Sequence, residues 1–195
     1  MAQNAANVAA ASPAVTGGLL WAPKGTALPT DATTAPDAAF VALGYISEDG
    51  IAPSGDASST EDQVAWGGDV VAILETQKRV DRYTAKLIEV LNADVLEFVF
   101  GEDNVDVTPA AGATPTLIAV SDDGGEPEEG VFLIEAFYKG IKMRRVIPNG
   151  MPTLTAEDPL VHSALGGYEV QITCLPDASG KRQYRYYALD DAPGV

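Results

Sequence analysis

The chain is 195 residues long, with 28 acidic against 12 basic side chains, a formal net charge of −16 and a pI near 4.2. Charge of that sign excludes a protein that grips nucleic-acid phosphates, which is done with Lys and Arg, while 46 % apolar residues supply material for a sizeable core. One Cys excludes an internal disulfide or a multi-Cys zinc site, no apolar run approaches the roughly 20 residues that span a bilayer, and the opening MAQNAANVAAASPAV lacks the basic start of a signal peptide.

Residues 1–18 are mostly Ala, Asn, Ser, Gly and Pro with almost no large apolar group, which predicts an arm with no core of its own. From Leu19 onward, apolar islands at Trp21, Leu28 and 40–46 are separated by Pro and Gly. That reads as extended chain and turns, with a short strand at 41–46. The stretch SEDGIAPSGDASSTEDQ, residues 47–63, holds only Ile51 and two Ala as apolar groups and predicts a long polar loop. A loop of about 20 residues is uncommon in a compact domain unless it has a task. Trp66 follows it, before a β-branched strand at 70–74.

The segment 82–100 fits two parses equally well. Tyr83, Leu87, Leu91 and Val95 keep i, i+4 spacing, which suits one long helix. Alternatively a strand covers 82–90 and a helix begins at a capping Asn92, with Asp94 favouring its N-terminus, Leu96, Val99 and Phe100 as its buried stripe, and Gly101 as its stop. Beyond it, TLIAVS at 116–121 is a strand leading into the acidic loop DDGGEPEEG. Strands at 131–138 and 141–147 flank Lys139-Gly140 as a two-residue hairpin, and strands at 168–175 and 182–189 flank PDASGK as a second one. Short strands, turn signals and one helix predict a mainly β fold, a sandwich or open barrel with a flanking helix.

The charge is unevenly distributed. Residues 25–77 carry nine acids and no base, and residues 87–138 carry twelve acids and no base. The bases gather at Lys78, Arg79, Arg82 and Lys86, at Lys139, Lys142, Arg144 and Arg145, and at Lys181, Arg182 and Arg185. A solvated, uneven surface explains this as well as does self-complementarity, in which basic strands of one copy face acidic loops of the next.

Catalytic and metal signals are weak. His162, the only histidine, has no nucleophile-elbow motif to serve and reads as a surface or turn residue. Cys174 alternates with Tyr168, Val170 and Ile172 and reads as a small core residue. Asp122, Asp123, Glu126, Glu128 and Glu129 do not match the spacing of a calcium loop. Tyr184, Tyr186 and Tyr187 beside Arg182 and Arg185 read as core or interface aromatics rather than base-stacking platforms. No catalytic residue, cofactor or metal is expected, and no enzymatic activity.

The order WAPKGTALPT, LGYISEDGI, a polar loop ending in AWGGDVV, then YTAKLIEVLNADVLEFVFGEDNV, over residues 20–107, resembles the major tail proteins of long-tailed, non-contractile phages of the type infecting actinobacteria. The hairpins to residue 189 fit that family more loosely. The family's strand–helix–Gly order favours the split parse, with a helix at about 92–100.

The resemblance implies a tail-tube β-barrel or sandwich with one flanking helix, divided as an arm at 1–20, a β domain at 21–189 with a long loop at 47–66, and a tail at 190–195. It implies hexameric rings that stack into the tube of the virion tail, assembled in the host cytoplasm and delivering DNA. The implied partners are copies of itself, a tape-measure protein in the lumen, terminator and distal tail or baseplate proteins at the ends, and DNA in transit without specific binding. Expected at contacts between subunits or rings are Val8, Leu20 and Trp21 near the arm. The loop contributes Glu48, Asp49, Ile51, Glu61, Asp62 and Trp66, and the basic clusters Arg79, Arg82, Arg144 and Arg145. Acids are expected to outnumber bases at the lumen, since carboxylates repel phosphate over about 8 Å at physiological ionic strength. The competing reading is a cell-surface or capsid-decorating adhesion module.

Overall fold

A computed structural model describes residues 8–14, 18–56, 59–76, 80–112, 114–159 and 161–189. It is mainly β with one α-helix among the described residues. Nine strands form the principal sheet: β1 (Ser12–Pro13), β2 (Leu19–Pro23), β3 (Val41–Ala42), β4 (Ile46–Asp56), β7 (Val80–Leu87), β10 (Gly130–Tyr138), β11 (Ile141–Glu157), β12 (Tyr168–Cys174) and β13 (Tyr184–Ala188). Its order is β3-β2-β10-β11-β12-β7-β4, with β1 also on β10 and β13 also on β11. Two small ribbons stand apart, β5 (Ser59–Val64) with β6 (Val70–Thr76), and β8 (Val105–Thr108) with β9 (Leu117–Val120).

Period-two alternation sets which face is buried. On β12 and β7, the residues Tyr168, Val170, Ile172 and Cys174 and their neighbours Tyr83, Ala85 and Leu87 turn to one side. There they meet helix α1 (Ala93–Phe100) through Val95, Leu96, Phe98 and Val99. Phe98 packs between Trp21 and Phe132 at ring separations of 5.7 and 6.0 Å. Gly150 is required beneath this stack: a Cβ there would lie 2.5 Å from the Phe132 ring and 3.0 Å from Ile172.

The strand–helix parse of 82–100 is the one adopted. The Asn92 side chain accepts from the Asp94 N–H at 3.1 Å, and Gly101, at a φ of 93°, donates its N–H to the Glu97 carbonyl. Of the expected stripe, Leu96 and Val99 are buried and Phe100 is only half-buried, its ring edge-on to Tyr168. Lys139 and Gly140 both take positive φ, 47° and 85°, which closes the β10–β11 hairpin as expected.

Three expectations are corrected. The polar stretch read as a loop at 47–66 is largely strand: β4 pairs with β7, and β5 with β6. β4 lies on the outer edge of the sheet, so it needs ladder partners but no continuous apolar face, and composition hid it. The bend at PDASGK does not make a hairpin. β12 pairs with 150–157 of β11, and β13 pairs with 142–146 of the same strand. The two therefore run end to end along one side of β11, and the loop between them leaves and re-enters the same line. Turn residues mark a bend without fixing the direction in which the chain resumes. Finally, Leu19 and Leu20 lie in β2 with buried side chains, so the expected arm at 1–20 ends inside the body of the fold.

Candidate self-assembly surfaces

The β5–β6 ribbon pairs with no other strand among the described residues. Its turn is held by the Ala65 N–H on the Asp69 carbonyl and the Gly68 N–H on the Ala65 carbonyl. β6 contains the run VVAIL, opposite the acidic-polar STEDQV of β5. Consecutive apolar residues in a strand are the mark of burial on both faces. Here neither face is covered: Val64, Val70, Val71, Ile73 and Leu74 are all exposed, and Trp66 at the turn is 107 % exposed. The register sets Glu61 beside Leu74 on one face and Asp62 beside Ile73 on the other.

A second uncovered surface continues the helix-bearing face of the sheet. Along β11, Ile147 is in the core, and Arg145, Met143 and Ile141 follow on the same side. β13 sets Arg185 opposite Arg145 and Tyr187 opposite Met143. Tyr187 and the adjacent Leu189 are exposed. Arg145 stacks over the Tyr83 ring at 5.7 Å and donates to its hydroxyl at 3.3 Å, while Tyr83 and Arg185 both donate to Gln183 Oε1. Lys139 rests over the Tyr138 ring at 5.2 Å. None of Lys139, Arg145 and Arg185 has a carboxylate partner among the described residues.

Asp177 shapes the loop that feeds β13. Its carboxylate accepts from the Ser179 and Lys181 N–H groups at 2.8 Å and from the Tyr184 hydroxyl at 2.5 Å. Those bonds, the Tyr184 hydroxyl first, hold its pKa below the ordinary 3.8. A depressed carboxylate contributes stability that is full above 3.8 and is lost as pH falls through the lower folded value. Asp177→Asn is therefore expected to melt below the wild type at neutral pH. The two melting curves should converge on acidification under the folded pKa, as read by circular dichroism across a pH series.

The opposite face of β4, β7, β12 and β11 is polar and uncovered: Ser54, Thr84, Gln171 and Thr153 share it with five charged side chains. Arg82 bonds Asp56 at 3.0 Å, Lys86 forms an ion pair with Asp158 at 2.6 Å, and Lys86 stands opposite Glu169. Both bases are thus neutralised within the chain.

The expected contact residues divide accordingly. Val8, Trp66, Glu48, Asp49, Glu61 and Asp62 are exposed, the last two together on the β5–β6 ribbon. Glu48 and Asp49 instead fall at the irregular register between Ile46 and Ile51 of β4, where Ile51 packs half-buried against the core. Leu20 and Trp21 pack within the fold. Arg79 lies outside the described residues. Arg82 and Arg145 have the partners given above.

Arg144 is the clear correction. It is 5 % exposed, donates from Nε to Glu135 at 2.6 Å and from Nη1 to the carbonyls of Asp31 and Thr34 at 2.9 and 2.7 Å. It fastens the 24–40 segment over the second apolar cluster of Leu20, Val131, Leu133 and Val146. Its burial and its bonds within the chain give it a role in folding, which departs from the expected place at a contact between subunits. Asp31 closes the same turn: hydrogen bonds from Thr34, then Thr33, hold its carboxyl well below the usual range.

Other candidates resolve simply. His162 is exposed on a turn. Cys174 is 2 % exposed, and burial pushes its thiol up to about 12. Asp122 and Asp123 accept from the N–H groups of Gly124 and Gly125 and so close their own turns, and no group of three metal-ligating side chains converges among the described residues. A shallow cavity of about 90 Å³ beside Trp21 and Phe98 is rimmed by Asp94, Glu97, Glu102 and Glu128. It is far below the roughly 300 Å³ at which small-molecule sites begin. Among the described residues no helix is long and apolar enough to cross a membrane.

Sequence reasoning singled out Glu61, Asp62 and Trp66 of the ribbon but not β6 as an uncovered apolar strand, although VVAIL was the available signal. A family model described as phage tail tube protein matches residues 1–194. No curated protein matches the chain.

Proposed function

The chain belongs to the phage tail tube protein family, and from that premise we propose that it polymerises as stacked hexameric rings into the conduit through which DNA reaches the host. The family makes it a structural component of the virion tail that assembles with itself into a tube. The observation that carries the finer reading is the β5–β6 ribbon, a strand apolar on both faces that a single chain leaves bare. Such a surface on a subunit is matched to other copies. In this reading the ribbon, with Trp66, Glu61 and Asp62, reaches the adjacent ring, and Val8 on the N-terminal arm adds a contact.

The polar face of β4, β7, β12 and β11 lines the channel. Asp56, Asp158 and Glu169 there outnumber Arg82 and Lys86, and both bases are already engaged. A wall of that kind gives phosphate nothing to hold, which suits DNA in transit. The tape-measure protein occupies the lumen before ejection, and terminator and distal tail or baseplate proteins close the ends. Assembly takes place in the host cytoplasm and requires no catalysis. Non-contractile tails of the actinophage type are the setting. Negative-stain microscopy of purified protein is expected to show tubes or six-fold rings. Monodisperse globules at every concentration and salt would overturn the reading in favour of an adhesion module.

A further inference from the structure

We propose that the β5–β6 ribbon of one copy docks on the uncovered surface formed by β10, β11 and β13 of a second copy. The proposal rests on the reading of the chain as a self-assembling tube subunit and names the two surfaces that meet.

Both surfaces are apolar where a lone chain leaves them wet. The ribbon offers Trp66, Val71 and Ile73, and the sheet surface offers Met143, Tyr187 and Leu189.

Charge decides which surface meets which. Residues 59–76 contain Glu61, Asp62, Asp69 and Glu75 and no base. The opposing surface carries Lys139, Arg145 and Arg185, held among the described residues by aromatic rings and neutral acceptors. An acidic apolar strand pair placed there brings carboxylates to bases that have none among the described residues. Two ribbons brought together set carboxylate against carboxylate, and two copies of the sheet surface set base against base. Like charges in register are costly, so only the mixed pairing is self-consistent. The ribbon face carrying Val71 and Ile73 also carries Asp62, and the sheet surface carries Arg145 and Arg185 beside Met143 and Tyr187, so apolar and opposite charges can meet together.

The test uses two full-length single variants, Ile73→Cys and Tyr187→Cys, at positions 64 % and 59 % exposed, so that neither disturbs the core. Cys174, 2 % exposed, does not compete. One variant is isotope-labelled, the two are mixed under assembly conditions and oxidised, and linked peptides are identified by mass spectrometry. The expected product is a disulfide between position 73 of one copy and position 187 of the other, at least tenfold over either like-with-like link. Tubes that form without that mixed link overturn the docking and leave the tube reading intact. Absence of both the link and the tubes overturns both. A partner other than a second copy would occupy the sheet surface and suppress the mixed link, which also overturns the proposal.

Discussion

An Arg144→Ala chain is expected to lose about 3–5 kcal/mol of folding stability, because the half-buried Glu135 loses its ion-pair partner and the carbonyls of Asp31 and Thr34 lose a buried donor. Against a typical total of roughly 5–15 kcal/mol, that loss leaves a large unfolded fraction at growth temperature. Urea unfolding of the monomer measures it directly. Arg144→Glu should be worse still, since it sets a second carboxylate against Glu135. Replacing both partners with apolar residues of similar size, Arg144→Met with Glu135→Leu, should recover most of the loss. A single variant that melts within about 1 kcal/mol of wild type yet fails to form tubes would restore Arg144 to the interface.

The second large effect has the opposite signature. Val71→Ser with Ile73→Ser removes two exposed apolar side chains from β6 and touches no part of the core. The monomer's melting temperature should not move. Each side chain contributes about 1.5–3 kcal/mol when fully buried, and every 1.4 kcal/mol is tenfold in association. Tube formation should then need roughly a hundredfold more protein, measured by sedimentation over a concentration series. Equal critical concentrations for variant and wild type would show that β6 stays uncovered in the tube.

The contrast between these residues shows where sequence reading succeeds. Asn92, Asp94 and Gly101 offer a helix with both ends marked as one of two parses, which the family order favours, and Lys139-Gly140 announces a tight hairpin; each signal is local and survives folding. Cys174 follows from its alternation with Tyr168, Val170 and Ile172. β4 was hidden because its partner is β7, thirty-odd positions away by the ladder Ile51↔Ala85, and an edge strand needs no apolar pattern of its own. The end-to-end placement of β12 and β13 was hidden for the same reason, since both take their direction from β11. Arg144 and Arg145 are adjacent in a basic cluster, yet strand geometry sends them to opposite faces. One is enclosed under the 24–40 segment and the other lies at the margin of the core. Charge counting treats them alike, and only the fold separates them.

The β5–β6 ribbon also bears on the life of the subunit before it polymerises. An apolar run such as VVAIL with one open ladder edge is the kind of segment that seeds cross-β aggregates. Here β5 occupies one edge and presents Glu61 and Asp62, while Glu75 closes the run, so acids act as gatekeepers around the segment. A net charge of −16 also sets free copies to repel one another before they assemble. What joins subunits productively is thus also what must be restrained while they wait.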